Sequence, residues 1–82
     1  MYLFVIKHDP ECQKAIRLVS SRPEVHVVDM IDRNISSTNL AMDYGTSKIP
    51  LLRTGSGTVV SGYQDIEAYL RKYSNDNQLK KP

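Results

Sequence analysis

Residues 9–12, with the sequence Asp-Pro-Glu-Cys, constrain the fold more than any other stretch because they mark a helix start directly behind a strand. Asp is a preferred N-cap residue, Pro suits the first helical position, and an acidic residue in the first turn complements the helix dipole. The apolar run of residues 2–6 is typical of a strand buried on both faces. The sequence therefore predicts a strand-to-helix connection that places Cys12 at the positive end of the helix.

The same alternation of strand and helix continues along the first half of the chain. Apolar residues at helical spacing extend to residue 21, where Pro23 ends the helix. Residues 25–29 are rich in valine and predict a second strand. Gly45 fits the end of a short helix that one of the residues 36–38 would cap. Strand, helix, strand, helix is the opening of an α/β domain with a right-handed crossover between parallel strands.

The second half predicts a hairpin followed by a helix. Residues 48–53 form a short strand entered through Pro50, and residues 58–60 form its partner after a turn that contains two glycines. After a break at Gly62, apolar residues at helical spacing predict a helix over residues 64–73. The predicted order is β-α-β-α-β-β-α.

Length and composition indicate one small globular domain, at residues 1–73, followed by a polar tail at residues 74–82. The tail is expected to be disordered unless a partner binds it. Scattered Lys and Arg residues and a net charge of +2 argue against nucleic-acid binding. The single cysteine excludes an internal disulfide, and the opening apolar run is too short to cross a membrane. We therefore expect a soluble cytoplasmic or otherwise intracellular protein without membrane insertion.

Three local motifs resemble the glutaredoxin form of the thioredoxin fold over roughly residues 2–73. Residues 9–12 resemble the family's Cys-Pro-x-Cys segment. Ile49-Pro50 resembles the hydrophobic–proline pair whose peptide bond is cis in this family. Residues 61–65 resemble the Gly-Gly-x-x-Asp turn that holds one end of glutathione.

The resemblance implies a four-stranded mixed sheet with helices on both faces. The strands at residues 2–6 and 25–29 should be parallel. The helices that start at Pro10 and Gln64 should cover one face, and the helix near Leu40 the other. The residues that the resemblance implies for a ligand site are Ile49, Pro50, Gly62, Tyr63 and Asp65.

The departures from the family pattern bear on function. The family's nucleophile is the first cysteine of the pair, and Asp9 occupies its position. Cys12 matches the second, resolving cysteine, and a nearby carboxylate would raise its pKa further. The family has a lysine three residues before its first cysteine, and this chain has Ile6 at that position. Lys7 lies one residue closer to Asp9. Cys12 is also explained as a small core residue and Asp9 as an N-cap, without any catalytic role.

Two hypotheses follow from these departures. The favoured one is a redox-inactive glutaredoxin-like module that binds a protein partner or forms part of a larger assembly, without a metal and with at most weak glutathione binding. The alternative is a monothiol oxidoreductase in which Cys12 exchanges with glutathione or a protein thiol. Small proteins of this family are encoded both by cells and by large viruses and phages. In a virus or phage such a protein could be a component of the virion. The sequence favours neither source.

Overall fold

The structure is a computed structural model that describes the backbone of residues 1–80 and the side chains of residues 1–73. The predicted order of elements is confirmed. The elements are β1 (Tyr2–Val5), α1 (Pro10–Val19), β2 (His26–Asp29), α2 (Ser37–Tyr44), β3 (Leu51–Arg53), β4 (Val59–Ser61) and α3 (Tyr63–Lys80).

The strands form one mixed sheet in the order β2-β1-β3-β4. β1 lies next to β2 in parallel, as predicted, and pairs with β3 in antiparallel. β3 and β4 form the predicted antiparallel hairpin. Leu3 at the centre of β1 therefore has Val27 on one side and Leu52 on the other. This arrangement makes β1 an inner strand and β2 an edge strand.

The helices cover the two faces of the sheet as expected. α1 and α3 lie on one face, here called the helix-pair face, where Leu3 and Val5 meet Ala15, Ile66 and others in a buried cluster. α2 lies on the opposite face, where Leu40 is buried together with residues of β1 and β3. The buried members of that second cluster are Phe4, Met30, Leu40 and Leu51.

Local signals explain the bounds of α2. The Ser36 hydroxyl accepts a hydrogen bond from the Asn39 N–H at 3.2 Å, and the Asn39 side chain accepts one from the Ser36 N–H in return. Gly45 ends the helix in the left-handed region at φ 79°, where a residue without Cβ is not strained. The N-cap lies within the predicted range, and the predicted C-terminal glycine is confirmed.

Apart from shifts of one or two residues at the ends of other elements, three predicted features differ from the structure. β1 is buried at residues 3–5, but Tyr2 at its start is 45% exposed and belongs to neither buried cluster. The third strand begins at Leu51 instead of residue 48, after the Ile49–Pro50 peptide bond, which is cis as predicted.

The third difference concerns the end of α3, which continues to Lys80 instead of ending at residue 73. No glycine or proline interrupts residues 63–80, and extending an existing helix gains one hydrogen bond for each residue added. Most of the predicted tail is therefore helical, and residues 81 and 82 lie outside the described residues. Among the described helices, none has the length and apolar character needed to cross a membrane.

Candidate functional site

The start of α1 is closed by its own N-cap residue. Asp9 has extended backbone angles, φ −78° and ψ 129°, and its Oδ1 accepts a hydrogen bond from the Cys12 N–H at 3.1 Å. The Asp9 carbonyl accepts the first intrahelical bond, from the Gln13 N–H at 2.9 Å. The predicted N-cap is confirmed. A carboxylate thus occupies the positive end of this helix.

Cys12 is fully buried on the helix-pair face, where it packs with Leu3, Val5 and Ala15. Burial raises the pKa of its thiol, because a thiolate loses the stabilisation that water provides. The Ile6 N–H, 3.5 Å from Sγ, acts in the opposite direction, and the negative charge of Asp9 raises the pKa again. The net shift is upward, so the thiol is protonated at neutral pH.

A small pocket of about 90 Å³ lies beside the start of α3. Gly62 immediately precedes the helix at φ 89°, and its N–H donates to the Pro50 carbonyl at 2.8 Å. Because glycine has no side chain, it cannot cap the first turn of α3 as Asp9 caps α1. The lining residues are Glu11, Lys48, Ser61, Gly62, Tyr63, Gln64 and Asp65.

The Lys48 side chain lies against Gly62 and brings a positive charge to the pocket. A Cβ at position 62 would be 3.0 Å from Lys48 Cε and 3.2 Å from Nζ. Two carboxylates, those of Glu11 and Asp65, belong to the same lining. The pocket therefore offers one cation and two anions, together with the first turn of a helix whose dipole favours an anion.

The structure separates the predicted site residues into two groups. Gly62, Tyr63 and Asp65 line the pocket together. Ile49 and Pro50 do not belong to its lining, although Pro50 is linked to Gly62 through the backbone hydrogen bond. Asp9 and Cys12 lie outside the lining as well, in the closed first turn of α1.

Sequence reasoning missed Lys48 as a pocket residue and treated it only as the beginning of a strand. The sequence feature that could have identified Lys48 is its position two residues before Pro50, because the Pro50 carbonyl accepts the hydrogen bond from the Gly62 N–H. Lys7, the residue nearest to the family's lysine, does not line the pocket. Its Nζ lies 3.9 Å from Asp29 Oδ2, beyond the end of β1.

The described residues contain no group of three or more His, Cys, Asp or Glu side chains arranged to hold a metal ion. The described strands and helices define a small α/β protein with a four-stranded mixed sheet and three helices. Comparison with known proteins gives no match, whether with family models, curated proteins or solved structures.

Proposed function

We propose that the chain is a redox-inactive, glutaredoxin-like module that serves as a binding or structural component of a larger assembly. The observation that carries this proposal is the complete burial of Cys12 behind a helix start that Asp9 occupies. A nucleophilic cysteine has to be both ionised and accessible to its disulfide substrate. Cys12 meets neither condition. The element order and the mixed sheet support the thioredoxin-like assignment within this proposal.

The chemistry of Asp9 completes the argument against a redox role. Its carboxylate keeps the negative charge that the helix end favours, but it has no sulfur with which to attack a disulfide. The same charge disfavours ionisation of Cys12 one turn further on. An aspartate at this position thus caps the helix and supplies no reactive thiol.

The pocket beside α3 supports the binding part of the proposal. The first turn of α3 and Lys48 suit a carboxylate, while Asp65 and Glu11 suit an ammonium group. A molecule that carries both, such as the γ-glutamyl end of glutathione, fits this distribution of charge. We propose weak binding, because the pocket is small and its two carboxylates outnumber the single cation.

One contact favours the monothiol oxidoreductase as a second candidate. The hydrogen bond from the Ile6 N–H to Cys12 Sγ would stabilise a thiolate, and it lowers the pKa against the effect of burial. This activity requires the first turn of α1 to open, so that a disulfide can reach Sγ. The two functions therefore differ in whether Cys12 reacts in the folded protein.

Thiol labelling of the native protein tests the proposal. We expect Cys12 to be protected from a neutral disulfide reagent near pH 7 and to react fully once urea unfolds the chain. A matched positive control is the double variant Cys12→Ser, Gln13→Cys, which moves the thiol to the adjacent, exposed position of the same helix. This control should be labelled rapidly without denaturant.

A turnover assay separates the two candidate functions. The natural protein should not reduce a mixed disulfide of glutathione with a small thiol. Rapid native labelling of Cys12, together with turnover that Cys12→Ser abolishes, would favour the oxidoreductase over the inert module.

A further inference from the structure

The edge strand β2 has one side that no other described strand of the chain covers. It carries no lysine or proline, which are residues that commonly protect sheet edges. Four large apolar side chains are prominently exposed among the described residues. Three of them lie at or near the β2 edge of the sheet: Tyr2 at 45%, Val27 at 41% and Ile31 at 62%. Val27 is in β2, Tyr2 lies on the neighbouring strand, and Ile31 follows β2.

The pairing with β1 determines which backbone groups face the open edge. His26 N–H donates to the Met1 carbonyl at 2.8 Å, and Met30 N–H donates to the Val5 carbonyl at 2.9 Å. Even-numbered residues of this segment therefore point their backbone groups towards β1. Because alternate residues of a strand point to opposite sides, Val25, Val27 and Asp29 point theirs outwards.

Two of the six outward groups are already used inside the chain. Val25 N–H donates to the Arg22 carbonyl at 3.1 Å, and the Asp29 carbonyl accepts from the Arg33 N–H at 3.1 Å. The other four have no hydrogen-bond partner among the described residues. They are the Val25 carbonyl, the Val27 N–H, the Val27 carbonyl and the Asp29 N–H.

We propose that β2 pairs in antiparallel with β2 of a second copy of the chain, about a twofold axis at Val27. In this register Val27 exchanges both of its hydrogen bonds with Val27 of the other copy. The Asp29 N–H of each copy donates to the Val25 carbonyl of the other. The register uses the four available groups and leaves undisturbed the two that are bonded within the chain.

The side chains suit the same register. Val27 lies next to its own symmetry mate, and His26 lies opposite Val28 of the second copy, so no like charges are directly opposed. Such an interface is isologous and closes as a dimer, with the two sheets joined into one of eight strands. This inference goes beyond the proposed function and stands on the geometry of the edge alone.

Sedimentation at increasing protein concentration tests the proposal. The natural protein should rise from the mass of one chain, 9.3 kDa, towards twice that value. Val27→Lys places two ammonium groups against each other across the axis, and we expect at least about tenfold weaker association. Met42→Lys is the matched control, because it adds the same charge at a 79% exposed apolar residue on α2 and should associate like the natural protein.

A second variant addresses the backbone directly. Val27→Pro removes an N–H that has no hydrogen-bond partner in the single chain. Because proline is tolerated at such edge positions, the monomer should keep its circular dichroism spectrum. It should lose the association. In the natural protein, hydrogen exchange at the Val27 and Asp29 amides should slow as concentration rises.

Two results would overturn the proposal. One is a protein that keeps the mass of a single chain at every concentration. The other is an association that both Val27 variants leave unchanged, or that Met42→Lys weakens equally, because the contact would then lie elsewhere. Neither result bears on the labelling of Cys12, so the dimer and the inert thiol can fail independently.

Discussion

The helices α1 and α3 begin beside the same pocket, yet their first turns are completed in different ways. α1 follows Asp9, whose carboxylate accepts the Cys12 N–H, whereas α3 follows Gly62, which has no side chain to offer. The positive end of α1 is therefore already matched by a negative charge of its own chain. The corresponding end of α3 remains available to an external anion. The one residue before each helix therefore decides whether the first turn has a side-chain cap of its own.

A side chain of α1 also approaches the first residue of α3. Lys14 Nζ of α1 lies 6.0 Å from the ring centroid of Tyr63, the first residue of α3. The Tyr63 hydroxyl donates to Glu67 Oε2 at 3.4 Å, within α3 itself. A cation at this distance from an aromatic ring is a modest attraction.

The largest expected effect comes from replacing the cap of α1 by a thiol. Asp9→Cys should form a disulfide with Cys12, because an N-cap residue and a residue one turn later fall within the usual Cα separation of roughly 4.4–6.8 Å. The new thiol would experience the helix dipole, which lowers its pKa below the usual value of about 8.5. We expect measurable reduction of a glutathione mixed disulfide by the variant, and none by the natural protein.

The matched control for this change is Asp9→Ser, which keeps a capping oxygen and adds no thiol. It should remain inactive and lose little stability. Inactivity of an Asp9→Cys protein whose disulfide forms and reduces normally would contradict the idea that only the nucleophile is missing.

At the start of α3, Gly62→Ala should destabilise the protein by about 1–2 kcal/mol, since alanine is strained at a positive φ. Gly45→Ala provides the comparison, because Gly45 has a similar φ and no atom near the position of a Cβ. Urea unfolding should give similar losses for both variants, as the end of the Lys48 side chain can move away from the new methyl group. Only Gly62→Ala should alter ligand binding at the pocket. Equal binding in both variants would show that the Gly62 turn is not part of the site.

The pH dependence of stability reports on the closed start of α1. The pKa of Cys12 is raised in the folded protein, so the unfolded chain loses this proton first as the pH rises. The stabilisation is complete below the unfolded pKa, about 8.5, and is lost between that value and the folded pKa. Unfolding free energy should therefore fall above about pH 8.5, by up to about 1.4 kcal/mol per pH unit. Cys12→Ala should remove this component, and identical pH profiles of the two proteins would exclude the raised pKa.

The smallest expected effect is on ligand binding at the start of α3, where Lys48 lines the pocket. Glutathione titration should shift the amide signals of residues 62–65, and Lys48→Ala should weaken the binding by about two- to fivefold. Lys7→Ala removes the same charge at a residue that pairs with Asp29, outside the pocket, and should leave the binding unchanged. Shifts that cluster away from residues 62–65 would argue against this pocket as the ligand site.

The capped start of α1 could be predicted from the sequence, whereas the set of residues around the uncapped start of α3 could not. Asp9 and Pro10 act through contacts within one helical turn, and local sequence therefore identifies them. Lys48 reaches Gly62 only because β3 and β4 pair and bring residues distant in sequence together. The length of α3 escaped prediction for a different reason: residues 74–80 show no apolar stripe, and their helix continues from the packed turns before them.

The inner position of β1 has a consequence for the chain during its synthesis. β1 can pair with β2 as soon as residue 29 has left the ribosome, and α1 can then cover part of Leu3 and Val5, but their burial is incomplete until Leu52, Ile66 and Leu70 follow. At a synthesis rate of about 5–20 residues per second, the additional forty or so residues take roughly 2–8 seconds. During that interval the nascent chain displays an incomplete parallel sheet with an apolar surface. We therefore expect chains stalled before β3 to be bound by chaperones or degraded.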